Sequence, residues 1–147
     1  SWDKYMRLNP TNDVAYKNRA SVYNATGRYN EALKDWNEGL RLNPEDSTAL
    51  AMREFAYFKT SQFDKAAHDA IEAVRLGPTN GAALNNLAWF RATCPVASFR
   101  NSKEAVEAAT KACELAKWTR WEWVDTLAAA FAEAGNFEKA VSYEKRQ

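Results

Sequence analysis

Cysteine and histidine are scarce in this 147-residue chain, and their scarcity removes several chemistries at once. Cys94 and Cys113 are too few for a disulfide scaffold and lack the paired spacing of a zinc or redox motif, so both read as buried free thiols. The single histidine, His68, stands beside Asp69 with no nucleophile or metal ligand brought to it by the pattern, and reads as a solvated surface residue. No glycine-rich phosphate loop, HExxH or CxxC occurs, so an enzyme is not indicated and no metal or cofactor is expected. Charge of one sign is lacking too. With 20 Lys+Arg against 19 Asp+Glu, nothing global draws the chain to nucleic acid or anionic lipid. No apolar run approaches the roughly 18 residues of a membrane span, the longest pieces being as short as residues 127–132, so membrane insertion is not expected.

What is present is a period. Arg7-Leu8-Asn9-Pro10 returns as Arg41-Leu42-Asn43-Pro44 and as Arg75-Leu76-Gly77-Pro78, each copy 34 residues after the last. A unit of that length ending in a helix-stopping proline is a supersecondary element stacked on copies of itself. Between the prolines the first full unit shows two helical stretches, residues 12–25 and 30–42. Tyr16, Ala20 and Tyr23 lie on one face of the first, and Ala32, Leu33, Trp36 and Leu40 on one face of the second. Gly27 marks the turn between them, where a left-handed backbone suits glycine. Shifted by 34, the packing positions become Leu50, Glu54, Tyr57, Phe63, Ala66 and Leu76, apolar apart from Glu54.

The third unit starts on schedule with Leu84, Leu87 and Ala88, but its turn would fall at Pro95, and its second helix arrives five residues late, with Ala105 and Leu115. An enlarged loop over residues 95–101 is expected, with Asn101 and Glu104 as a capping box restarting the helix. Ala128, Phe131, Gly135, Phe137 and Ala140 repeat the first unit 108 residues on, three periods plus six. The reading is therefore one all-α domain. It comprises the second helix of a truncated unit (residues 1–10), units over 13–46, 47–80 and 81–119, and an incomplete unit over 121–147. The chain opens in mid-unit, as an excerpt would. The compartment is left open, with the cytoplasm favoured.

Tyr16, Ala20, Tyr23, Gly27, Tyr29, Ala32, Trp36 and Pro44 together resemble the tetratricopeptide repeat family, and the likeness runs over the whole chain. Residues 85–89, 92–95, 111–115 and 125–130 also resemble terminal modules of bacterial multi-repeat members. The resemblance implies a right-handed α-solenoid of antiparallel helix pairs, in which the first helix of every pair lines a concave groove and the second lies outside. Carried onto this chain, the groove would present Lys17, Asn18, Ser21 and Asn24, then Met52, Phe55, Phe58 and Lys59, then Asn85, Asn86 and Trp89, then Glu122, Asp125 and Thr126.

On this pattern Met52, Phe55, Phe58 and Trp89 form an apolar floor, the favoured reading, with Phe55 and Trp89 as rings packed between helices as the alternative. Asn18 and Asn86, two periods apart, offer amides to an extended peptide. A clamp for a C-terminal carboxylate is disfavoured, because Thr48 and Met52 occupy positions where such a clamp carries Lys and Arg. Lys17 and Lys59 toward one half, against Glu122, Asp125 and Glu133 toward the other, would orient a charged ligand or simply be solvated. Trp118, Trp121 and Trp123 either cover the enlarged loop around Phe99, the favoured reading, or form an accessory recognition patch.

The function expected is a non-catalytic module binding a protein or peptide with an apolar or aromatic segment. A docking arm of a larger enzyme or assembly machine is the alternative. Self-association through Trp2 and Tyr5 at one end and Val141 and Tyr143 at the other is a third possibility.

Overall fold

In the computed structural model the described residues are 2–145, and all their regular structure is helical. Ser1, at the opening of the truncated unit, and Arg146 and Gln147, at the end of the last, lie outside the described residues. The chain divides into two compact units at Leu76 and Gly77. The first holds α1 (Trp2–Leu8), α2 (Asp13–Ala25), α3 (Tyr29–Leu42), α4 (Ser47–Lys59) and α5 (Phe63–Leu76). In the second are α6 (Gly81–Thr93), a single 3-10 turn (Ala97–Phe99), α7 (Ser102–Leu115), α8 (Trp121–Glu133) and α9 (Phe137–Glu144). No helix among the described residues is long and apolar enough to cross a membrane.

Local chemistry sets the helix ends, and it recurs with the period. Asn12, Asp46 and Asn80, spaced by 34, are N-caps whose side-chain oxygens accept from Ala15, Ala49 and Ala83 N–H at 3.3, 3.0 and 3.2 Å. At the C-terminal ends of α2, α4 and α8 the backbone turns left-handed, at Gly27 (φ 77°), Ser61 (59°) and Gly135 (80°). There the N–H groups of Arg28, Gln62 and Asn136 return to the carbonyls of Tyr23, Tyr57 and Phe131, each at 2.8 Å. Ser61 makes this turn without glycine's freedom.

Small residues then let paired helices approach. Ala20 and Ala32 in the first unit, and Ala88 with Ala105 in the second, are fully buried. At Glu54 the shifted position carries a carboxylic acid instead, and it too is buried, at 4% exposure. Burial first, and the charge of Asp69 second, push its carboxyl up to about 8.

A buried ion pair repeats as well. Arg19 donates to both oxygens of Asp35 at 2.6 and 2.7 Å, and 34 residues later Arg53 does the same to Asp69 at 2.7 and 2.8 Å. In the second unit the corresponding positions are Leu87 and Ala108, both buried, so the polar pair is replaced as a pair. His68 is 77% exposed on its side chain, whereas its neighbour Asp69 is buried.

The second unit departs from the period where proline blocks the turn. Cys94 is extended ahead of Pro95, and Arg91 secures the loop, its carbonyl accepting from Asn101 N–H at 2.9 Å and its Nη1 donating to Phe99 O at 3.0 Å. Only half of the expected capping box forms. Asn101 caps Glu104 N–H at 3.0 Å, but the Glu104 carboxylate turns to Arg91 at 3.5 Å. Cys94 and Cys113 are both buried free thiols, and burial pushes the Cys113 thiol up to about 11.

Candidate interaction site

In the first unit, α2 and α4 face each other across a cavity of about 260 Å³. Lys17, Asn18 and Ser21 project from α2 at helical spacing, Thr48, Ala49 and Met52 from α4, and the wall is completed by Trp36 of α3 and the cap residue Asp46. Four residues expected in the groove, Lys17, Asn18, Ser21 and Met52, are thus brought together. Trp36, Asp46, Thr48 and Ala49 were not expected there as binding residues. Trp36 was read as a packing residue, and it is: only 3% exposed, it still contributes to the wall.

The electrostatics of this cavity differ from the sequence reading. Lys17 is buried, and its Nζ donates to Asp13 Oδ2 and Asp46 Oδ2, each at 2.9 Å, and to Asn43 O at 3.4 Å. Its alkyl chain lies over Gly39, where a Cβ would meet Lys17 Cγ at 2.8 Å. Burial alone would lower the Lys17 pKa, but the hydrogen bonds to both aspartates outweigh it and raise it. The Lys17 hydrogen bond in turn holds Asp13 below the usual carboxylate range. All three ammonium hydrogens are committed, so Lys17 is a tie between α2 and the loop before α4 and has no free hydrogen for a ligand. Asn24, also expected in the groove, is buried and donates Nδ2 to Met52 O at 2.9 Å.

Two buried polar atoms in this region find no partner among the described residues, the indole Nε1 of Trp36 and Oδ1 of Asn24. Further along α4, Phe55 is 39% exposed, with Tyr29 edge-on at 5.8 Å and the Lys59 ammonium 5.4 Å above its ring. Phe58 leaves the proposed floor. It is half-buried, and its ring packs on Phe63 at 5.5 Å.

In the second unit, α6 carries Asn85, Asn86 and Trp89, and α8 carries Asp125. Trp89 is 44% exposed, both asparagines and Asp125 are half-buried, and Asn85 Oδ1 has no partner among the described residues. Thr126, named with Asp125, is buried. Glu122 pairs with Arg120 at 2.8 Å and Glu133 with Arg100 at 3.4 Å. With Lys17 also paired, the opposed charges expected to orient a ligand are largely neutralised within each unit.

At the enlarged loop Phe99 meets Phe90 at 5.9 Å. Trp118, left-handed at φ 61°, stacks on Tyr143 at 5.9 Å, and Tyr143 stacks on Phe131 at 5.7 Å. Trp123 lies against Gly81, where a Cβ would come within 2.6 Å of its ring. Trp121 is 63% exposed. The Tyr143 face is therefore engaged within the chain, while Val141 stays 47% exposed.

Known proteins share this architecture. A family model described as the tetratricopeptide repeat matches residues 14–46, which hold the α2–α3 pair. Residues 14–46 are a tetratricopeptide repeat. The repeat fold extends over the rest of the chain, as solved structures show. MamA of Desulfovibrio magneticus RS-1 superposes with a TM-score of 0.79 at 15% identity, over 99% of this chain and 78% of that one. YrrB, described as a TPR protein with an unusual peptide-binding site, gives 0.74 at 21% identity, over 98% and 71%. The first TPR of Spaghetti (RPAP3), solved with the HSP90 peptide SRMEEVD, gives 0.72 at 21% identity, over 84% and 93%. No curated protein matches by sequence.

The first helices of the two pairs, α2 and α4, contribute most of the cavity wall, and α3 contributes a single large residue, Trp36.

Proposed function

We propose that this chain is a non-catalytic interaction module that binds a peptide segment of a partner protein, with the α2–α4 cavity as the working site of its first unit. The observation that carries the reading is the cavity itself. The adjacent helices α2 and α4 hold open about 260 Å³ lined by both polar and apolar side chains, and the exposed Phe55 ring lies one turn beyond Met52 on α4. Related folds supply precedent, since YrrB is described by its peptide-binding site and the Spaghetti repeat was solved with an HSP90 peptide. An acidic peptide of that second kind suits this cavity poorly. Thr48 and Met52 offer no cation, and the hydrogens of Lys17 are all committed.

A peptide-display screen on the chain tests the proposal, with Asn18→Ala and Phe55→Ala as controls. Enriched peptides sharing a motif are expected, with binding weakened about 10- to 30-fold by Phe55→Ala, the cost of truncating an aromatic anchor. Enrichment indifferent to both substitutions would move the interaction off this face.

A further inference from the structure

We infer that the α2–α4 cavity selects a peptide side chain ending in a neutral carboxamide, glutamine or asparagine, with the indole N–H of Trp36 as the donor to its oxygen. This rests on the reading of the cavity as a peptide site and names what enters it.

Trp36 forms part of the wall, is 3% exposed, and its Nε1–H meets no acceptor among the described residues. A buried donor left unmatched is costly, and a ligand that supplies an acceptor recovers that cost, whereas a purely apolar side chain does not. Charge decides which acceptor fits. The one cation at the cavity, Lys17, is outnumbered by Asp13 and Asp46 and donates to both, so a carboxylate meets net negative charge and no free cation. A carboxamide oxygen accepts without carrying charge. Its NH₂ group then faces the exposed rim residues Asn18 and Ser21, which hold side-chain acceptors. Ala49, Met52 and the indole ring receive the methylene stem. The indole nitrogen is closed to solvent, so entry requires the wall to move, and the unbranched, half-buried Met52 is the wall residue best suited to that.

The test titrates the ¹⁵N-labelled chain with three probes, N-acetyl-glutamine N-methylamide, N-acetyl-leucine N-methylamide and N-acetyl-glutamate N-methylamide, so that only the glutamine side chain carries a primary carboxamide. The readout is the Trp36 indole cross-peak, assigned by its disappearance in Trp36→Phe. The glutamine probe is expected to move that peak downfield and saturably, with a Kd on the order of 1 mM for so small a ligand. The leucine and glutamate probes are expected to bind at least about tenfold more weakly. Trp36→Phe should keep its helical circular dichroism and lose the saturable shifts at the Ser21 and Met52 amides. An unmoved Trp36 peak with the glutamine probe, an equal response to leucine, or a stronger response to glutamate would overturn the inference. Peptides from the display screen separate the two levels. If they shift Ser21 and Met52 while the glutamine probe fails, the site stands and the carboxamide preference falls. If they leave those amides unmoved, the site reading itself falls.

Discussion

Replacing Glu54 with glutamine should abolish most of the dependence of this protein's stability on pH between about 5 and 8. The carboxyl is 4% exposed, occupies the position held by Ala20 one period earlier, and titrates near 8 in the folded chain against 4.5 for an unperturbed glutamate. Arg53, the adjacent cation, is engaged with Asp69, whose charge adds to the upward shift. Over the interval between the two pKa values the folded chain retains a proton that the unfolded chain has released. The Glu54 contribution to stability is therefore most favourable below about pH 4.5, falls by up to about 1.4 kcal/mol per unit as pH rises, and levels off above pH 8. The full span is on the order of 3 to 5 kcal/mol, a large share of a small domain's stability. Urea unfolding followed by circular dichroism at pH 5, 6, 7, 8 and 9 measures it. Glu54→Gln should give a nearly flat profile over that range and exceed the natural chain at pH 8, and Glu54→Ala should be similarly flat. Staying above pH 5 keeps the measurement clear of Asp13 and Asp46, whose lowered pKa values make them lose stabilising charge only in acid. Parallel profiles for the natural chain and Glu54→Gln would refute the reasoning.

Three further substitutions test the repeat geometry. Ser61→Gly, at φ 59° in the turn where Gly27 and Gly135 stand in other helix pairs, should raise stability by about 0.5 to 1 kcal/mol and the midpoint of thermal unfolding with it; a fall would show that the serine makes a compensating interaction. Arg53→Leu strands the buried Asp69 charge and should cost about 3 kcal/mol or more in urea unfolding. Adding Asp69→Ala, which reproduces Leu87 and Ala108 of the second unit, should recover most of that loss, and a double variant as unstable as the single one would exclude the exchange.

Much of the architecture is written in short-range chemistry. The 34-residue recurrence of RLNP, the apolar faces at three- and four-residue steps and Gly27 at a turn each act within a few residues, so they state the helical-repeat fold without knowledge of neighbours. Site positions on α2 and α4 were readable for the same reason, since a helix fixes which residues share a face. What those side chains meet was not. Lys17 reads as a groove cation, yet Asp46 arrives 29 residues later to consume it. Phe58 reads as floor beside Phe55, yet it turns to Phe63.

Trp36 reads as an ordinary packing residue, and only its place in the cavity wall together with its buried, unmatched indole N–H supports the second role proposed for it. Glu54 was visible as a break in an apolar pattern, but its shifted titration depends on desolvation and on Asp69 of another helix. The sequence by itself determined the period, the helix pairs and the faces, because propensity, capping and turn chemistry are local. Tertiary structure alone decided which charges are spent, which donor is left without a partner and which carboxyl is protonated, because desolvation and pairing are set by neighbours distant along the chain.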